Sequence, residues 1–150
     1  MNSLLRQYYD KINVNYHVLS CNEITRVNHM IETKYIAPKS KFGFSLFDIL
    51  KVEECVAVNY YDSWRWIYPF INKKSIIVFF DYNNGEYIEL SDGGFFVDFF
   101  DECPKSEFYM IDSMGQFLLG YNHSKCLFAM GTAADWLERD EKYLEFYGIK

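Results

Sequence analysis

The chain has 150 residues, half of them hydrophobic and a fifth aromatic, with a formal net charge of −6. That apolar content excludes a disordered chain, which lacks the surface needed to offset ordering entropy. The acid excess excludes a nucleic-acid binder, which depends on a basic stripe to neutralise phosphates.

A chain of this length is expected to form a single globular domain over residues 1–150 and to bury roughly two-thirds of the surface it exposes unfolded. The opening MNSLLRQYYDKIN has only Leu4-Leu5 before Arg6, too short an apolar stretch for a secretory signal. No later run approaches the roughly 18 apolar residues of a membrane span. The expected location is cytoplasmic, without membrane contact. Cys21, Cys55, Cys103 and Cys126 show no CxxC spacing, so reduced, mostly buried thiols are expected rather than disulfides or a zinc site.

In chain order, a short helix is expected over residues 3–10. Ser20-Cys21-Asn22-Glu23 has the form of a capping box, and Ile24, Val27 and Ile31 follow at helical spacing, predicting a helix of about three turns. Residues 33–41 mix charges with Pro38 and read as a connection. Ser45 caps a second candidate helix over 46–54, with Leu46, Ile49 and Leu50 on one face. Residues 55–61 predict a short strand. Asp62 then caps a helical turn carrying Trp64, Trp66 and Ile67, which Pro69 should stop.

Residues 75–82 form the clearest strand, β-branched and aromatic, ended by Asn83-Asn84-Gly85. Asn-Gly favours a type I′ hairpin turn with positive φ at both central residues, so 86–90 should return antiparallel. Ser91-Asp92-Gly93-Gly94 can cap a short helix over 95–103, terminated by Pro104, with Phe95, Phe96, Phe99, Phe100 and Cys103 on its inner side. Residues 107–112, 116–122 and 125–130 read as a three-stranded meander with short loops. Thr132 to Asp135 opens a last helix whose inward face would hold Trp136, Leu137, Tyr143, Leu144 and Tyr147. Strands in the middle and helices at both ends predict an α+β fold, a mainly antiparallel central sheet flanked by N- and C-terminal helices.

The negative charge is local. Residues 81–112 hold nine acids against Lys105 alone, inside a run that should fold. Asp98, Asp101 and Glu102 fall at i, i+3 and i+4 and so share one helix face. With Glu86, Tyr87, Glu89 and Asp92 from the preceding segment, they are the candidate partner-binding residues. Their spacing suits a solvated or binding face rather than a metal loop, which interleaves glycine and carbonyl ligands; no metal or cofactor is expected.

Chemistry has one candidate. His123 beside Ser124, with Cys126 two residues on and Asp112 upstream, invites a small hydrolase or transferase, but a strand sends successive side chains to opposite faces and no oxyanion group accompanies them. A histidine at a hairpin tip is the plainer reading, and Asn122-His123-Ser124, though a glycosylation sequon, reads as a turn. The aromatic group Tyr60, Tyr61, Trp64, Trp66 and Tyr68 around Arg65 reads as core or as a protein-binding anchor.

Acidic, aromatic-rich, small and without a reaction motif, the chain resembles the cytosolic immunity proteins that neutralise secreted toxins in bacterial contact-dependent inhibition and polymorphic-toxin systems. The stretch from Glu107-Phe-Tyr-Met-Ile-Asp112 through Phe117 to Gly131, then Ala133-Ala-Asp-Trp136-Leu137, is also similar to small bacterial domains with a strand, a hairpin and a closing helix. The immunity superfamily with a downstream Asn-Gly-Gly element differs, since this chain has Asn83-Asn84-Gly85 and Gly93-Gly94 instead. The resemblance implies a non-enzymatic protein that binds a cognate toxin, basic and of the nuclease class, by covering its active site or substrate groove. Such proteins share no universal motif, so no site residue carries over. A housekeeping interaction module without a toxin is the remaining alternative.

Overall fold

The computed structural model describes residues 1–38, 45–103 and 105–149. The strands are β1 (Tyr16–Val18), β2 (Val56–Asn59), β3 (Ile76–Phe79), β4 (Tyr87–Leu90), β5 (Phe108–Ile111), β6 (Phe117–Tyr121) and β7 (Cys126–Gly131). The α-helices are α1 (Asn2–Lys11), α2 (Cys21–Lys34), α3 (Tyr68–Ile71), α4 (Phe96–Asp101), α5 (Thr132–Arg139) and α6 (Glu141–Phe146). All seven strands join one antiparallel sheet in the order β1-β4-β3-β5-β6-β7-β2. The fold is α+β, as expected.

The sheet is covered on both faces, and strand alternation divides the core accordingly. Ile76, Val78, Ile88, Phe108, Met110 and Leu119 face a layer built from α1, α3, α4 and α5. Ile77, Phe79, Tyr87, Tyr109, Ile111 and Leu118 face α2 and the segment 45–50. This two-sided burial explains why β3, β5 and β6 are continuous apolar runs rather than alternating ones. Gly120 permits one close approach: a Cβ there would lie 2.5 Å from the Phe128 ring of the neighbouring strand.

The five expected central strands are all present, and β5, β6 and β7 form the expected meander. Two further strands close the edges. The run expected at 55–61 is β2, paired with β7, while β1 has only three residues and completes the other edge against β4.

The capping box of α2 forms. Ser20 Oγ accepts from the Glu23 amide at 3.2 Å and Glu23 Oε1 accepts from the Ser20 amide at 2.8 Å. Those bonds, with His17 beside it, hold the Glu23 carboxyl down to about 2. The helix runs 14 residues, a turn beyond the expected length.

Several details differ from the sequence expectation. β3 and β4 do pair antiparallel, but positive φ falls on Asn83 (62°) and Gly85 (80°), not on Asn84, so the connection is a wider loop and not a type I′ turn. The helix expected over 46–54 is two 3-10 turns, Leu46–Ile49 and Val52–Glu54, separated by an extended Leu50. Pro69 does not stop the 3-10 turn Ser63–Ile67; it lies in the first turn of α3, where its missing N–H costs nothing. The last helix is broken at Asp140, whose carboxylate accepts from the Lys142 amide at 3.1 Å and starts α6. Leu137 is buried, and Tyr147, though 49 % exposed, donates its hydroxyl to the Ala57 carbonyl of β2 at 3.0 Å, whereas Leu144, expected on the inward face, lines an open recess beside α5. Phe95 is 38 % exposed and likewise leaves the inner side of α4. α2 occupies the start of the connection expected at 33–41; residues 39–44 and Pro104, expected to end α4, lie outside the described residues.

Candidate functional site

The acidic segment sorts its carboxylates by what each one touches. Asp92 is half-buried and structural: its Oδ1 accepts from the amides of Gly94 at 2.8 Å and Lys73 at 2.9 Å, and its carbonyl accepts from the Tyr9 hydroxyl at 2.8 Å. It ties α1, the end of α3 and the start of α4 together, and it holds the amide of Lys73, whose φ is +62°. The turn it caps leads into α4, where Phe96, Phe99 and Phe100 point inward and are buried. Asp98, Asp101 and Glu102 therefore point out, on one exposed face as expected.

Their surroundings are not equivalent. Asp101 is bound by Arg65 Nη2 at 2.5 Å, and Arg65 also reaches Asp62 at 3.2 Å and lies over the Trp64 ring. Lys105 donates its ammonium to the carbonyls of Phe100, Asp101 and Cys103, the C-terminal end of α4, and so serves that helix end. Asp98 and Glu102 have no ion pair among the described residues.

Beside them runs a groove of about 270 Å³ between α1 and α4, with Leu4, Tyr8 and Phe99 on its walls and Glu102 and Lys11 on its rim. Tyr8 meets Phe99 edge-on at 5.6 Å between centroids. Its hydroxyl is pushed up by burial and then by the charges of Asp98 and Glu102. Leu4 and Tyr8 were missed by reasoning along the acidic segment; the signal that finds them is the broad apolar stripe Leu4, Leu5, Tyr8, Tyr9 of α1.

Four expected partner-binding residues do not join this face. Tyr87 is fully buried; its hydroxyl donates to Asn28 Oδ1 at 2.7 Å and accepts from the Asn83 amide at 3.0 Å, so it locks the β3–β4 loop onto α2. Glu86 is half-buried against Arg6 of α1 at 3.1 Å. Glu89 projects from the opposite face of the sheet, into a recess shared with Arg26 and Val27 of α2. Asp92 is occupied as described.

His123 stands at the β6–β7 hairpin tip. Its backbone amide donates to Glu107 Oε1 at 3.2 Å and its Nδ1 contacts the same oxygen, while Tyr109 donates to Glu107 Oε2 at 2.6 Å. Glu107 raises the His123 pKa, first by hydrogen bonding and then by charge. The buried Asn122 forms the expected turn, its Oδ1 accepting from the amides of Ser124 and Cys126. Asp112 is not part of this cluster. In the β5–β6 register Phe108 faces Tyr121 and Ile111 faces Leu118, so Asp112 lies at the far end of β5, roughly 17 Å along the strand from Glu107. There it accepts from the Gln116 amide at 2.6 Å. The Cys126 thiol is pushed up by burial, against thiolate formation.

Of the aromatic group at 60–68, Trp64 and Trp66 are core, whereas Tyr61 and Tyr68 are 60 % and 46 % exposed. All four cysteines are free; Cys21 is exposed and the others half-buried rather than buried. Burial pushes the Cys55 thiol up to about 11. Among the described residues no group of three or more His, Cys, Asp or Glu is placed to hold a metal ion, and no helix is long and apolar enough to cross a membrane. No protein-family model matches the chain, and neither does any curated protein or solved structure.

Proposed function

We propose that the chain is a cytoplasmic immunity protein that binds a basic protein toxin of the nuclease class and neutralises it by covering its active site or substrate groove. The observation that carries this reading is the exposed face of α4, where Asp98 and Glu102 have no ion pair among the described residues beside the apolar wall of Leu4, Tyr8 and Phe99. Free carboxylates steer a basic partner, and an adjacent apolar groove supplies the anchor that steering alone lacks. The nearest bases, Arg65 and Lys105, are engaged by Asp62, Asp101 and the end of α4, which leaves Lys11 on the groove rim. Action by binding rather than turnover accords with the separation of Asp112 from His123.

The test combines Asp98→Asn, Asp101→Asn and Glu102→Gln. Stopped-flow association with a basic nuclease toxin from whose action the wild-type chain protects cells should slow about tenfold at low salt, and the difference should shrink as ionic strength rises. Among single variants, Asp101→Asn should have the smallest effect, because Arg65 already neutralises that charge. Unchanged association kinetics across ionic strength would remove α4 from the interface. Failure of the wild-type chain to protect cells against any basic nuclease toxin in a panel would sink the immunity reading itself.

A further inference from the structure

The loop between β3 and β4 carries Asn84-Gly85, the one place in the sequence where glycine follows asparagine. The backbone nitrogen of the residue after an asparagine can attack the side-chain Cγ and close a succinimide ring. Closure needs an accessible carboxamide, no Cβ crowding the nitrogen, and an amide that no other group holds. Asn84 and Gly85 are both exposed, and a Cβ at Gly85 would meet only Asn2 Nδ2, at 3.7 Å, so the approach is open. The Gly85 N–H has no hydrogen-bond acceptor among the described residues. The Asn84 carboxamide is held by a single surface contact, Nδ2 donating to Asp81 Oδ2 at 3.1 Å.

Other candidate positions fail on the attacking amide. The amide after Asn83 donates to the Asp81 carbonyl at 3.3 Å, the one after Asn72 to Asp92 Oδ1 at 2.9 Å, and the one after Asn122 to Glu107 Oε1 at 3.2 Å. Asp92-Gly93 is the other pair open to this ring closure by sequence, there with loss of water. Its Gly93 amide donates to the Lys74 carbonyl at 2.8 Å, Gly93 is buried, and Asp92 Oδ1 accepts from two backbone amides. A hydrogen bond of ordinary strength on the attacking amide slows closure by up to about tenfold. The structure therefore closes one of the two glycine-following sites and leaves the other open.

We propose that Asn84 is a site of spontaneous covalent modification, converting to aspartate and isoaspartate through a succinimide formed with Gly85. The Gly85 nitrogen gives up its proton and bonds to Asn84 Cγ; the Cγ–Nδ2 bond breaks, and Nδ2 leaves as ammonia with that proton. Water then opens the ring. Cleavage between the nitrogen and Cγ leaves aspartate, whereas cleavage between the nitrogen and the Asn84 backbone carbonyl carbon leaves isoaspartate, with the chain running through Cγ. Ammonia leaves and water enters, with no change of oxidation state. Either product puts a carboxylate beside Asp81, so the hydrogen bond between these two side chains gives way to like-charge repulsion. The site is separate from the α4 face and stands or falls independently of the toxin-binding reading.

Peptide mapping by mass spectrometry of the full chain, aged in neutral and mildly alkaline buffer, tests it. The peptide spanning Asn84 should gain about 1 Da and the intact chain should acquire a more acidic form on isoelectric focusing. Conversion should quicken as pH rises, because the attacking nitrogen must lose its proton. In the folded chain it should outpace conversion at every other asparagine and isomerisation at Asp92 by at least about tenfold. In urea, isomerisation at Asp92 should become detectable, since its protection comes from the fold. Asn84→Gln keeps an amide opposite Asp81 but needs a larger ring, so the acidic form should no longer appear. An aged folded chain that keeps Asn84 intact overturns the proposal. So does conversion elsewhere at an equal rate, or an acidic form that accumulates as fast in Asn84→Gln.

Discussion

Asp92 and Asp98 stand six residues apart in the same acidic segment, yet they do opposite things. Asp92 gives its carboxylate to two backbone amides and its carbonyl to a buried tyrosine, while Asp98 faces water with no ion pair among the described residues. The same division separates Glu107, which accepts from three groups, from Glu102, which rims an open groove. Charge density along a sequence therefore overstates surface charge: an acid becomes available for a partner only where the backbone and neighbouring bases make no use of it.

The sharpest way to break that comparison is Asp92→Ala against Asp98→Ala. Charge-assisted hydrogen bonds contribute about 1.5–3 kcal/mol each at most, and one of Asp92's bonds holds a residue in left-handed backbone. Asp92→Ala should lose about 2–3 kcal/mol in urea unfolding, whereas Asp98→Ala should stay within about 0.5 kcal/mol. Equal losses at the two positions would erase the distinction between a structural and a free carboxylate.

A smaller effect is expected at Tyr87. Tyr87→Phe keeps the ring stacked on Phe79 at 4.3 Å but leaves the Asn28 amide oxygen and the Asn83 N–H without this partner. The expected loss is about 1–2 kcal/mol, read as a drop of a few degrees in Tm. Hydrogen exchange at residues 83–87 should speed up by more than exchange in β5 and β6. A variant as stable as the wild type would show that the hydroxyl does not lock the loop to α2.

Residues Tyr87 and Asp98 also show what was legible from the sequence and what was not. The face of α4 follows from spacing alone, because i, i+3 and i+4 share a side whatever the helix packs on. The strands β3 to β7 were visible because β-branched and aromatic runs are set off by short polar loops, or, between β4 and β5, by the Asp92-Gly93-Gly94 start of a helix. Tyr87 was misplaced because its fate depends on which face of the sheet it takes and on Asn28, a partner 59 residues earlier. β1 escaped because three residues carry no periodicity; its existence rests on pairing with β4. Arg65 bound to Asp101, across 36 residues, is the same kind of long-range fact, and it decides which α4 acids remain free.

The smallest effect is expected at the hairpin tip, where the comparison can be followed by pH. Glu107 holds His123 through hydrogen bonding and charge, with Asp48 adding a weaker attraction, so the folded-state pKa lies above the ordinary 6.5. The sign follows from the direction: the stabilisation is fully present below pH 6.5 and is lost as pH rises through the raised folded value. Because His123 is exposed, solvent screens the pair and the change in unfolding free energy should be slight. The titration itself is the better readout. NMR of the His123 ring should give a pKa above 6.5, and Glu107→Gln should bring it down toward that value. With the amide in place of the carboxylate one oxygen remains to accept from Tyr109, so His123 loses its acceptor together with the charge, and the shift reads both. A His123 pKa at or below 6.5 in the wild type would show that Glu107 does not favour the charged ring, and would leave this acid serving only the Tyr109 hydroxyl and the His123 backbone amide.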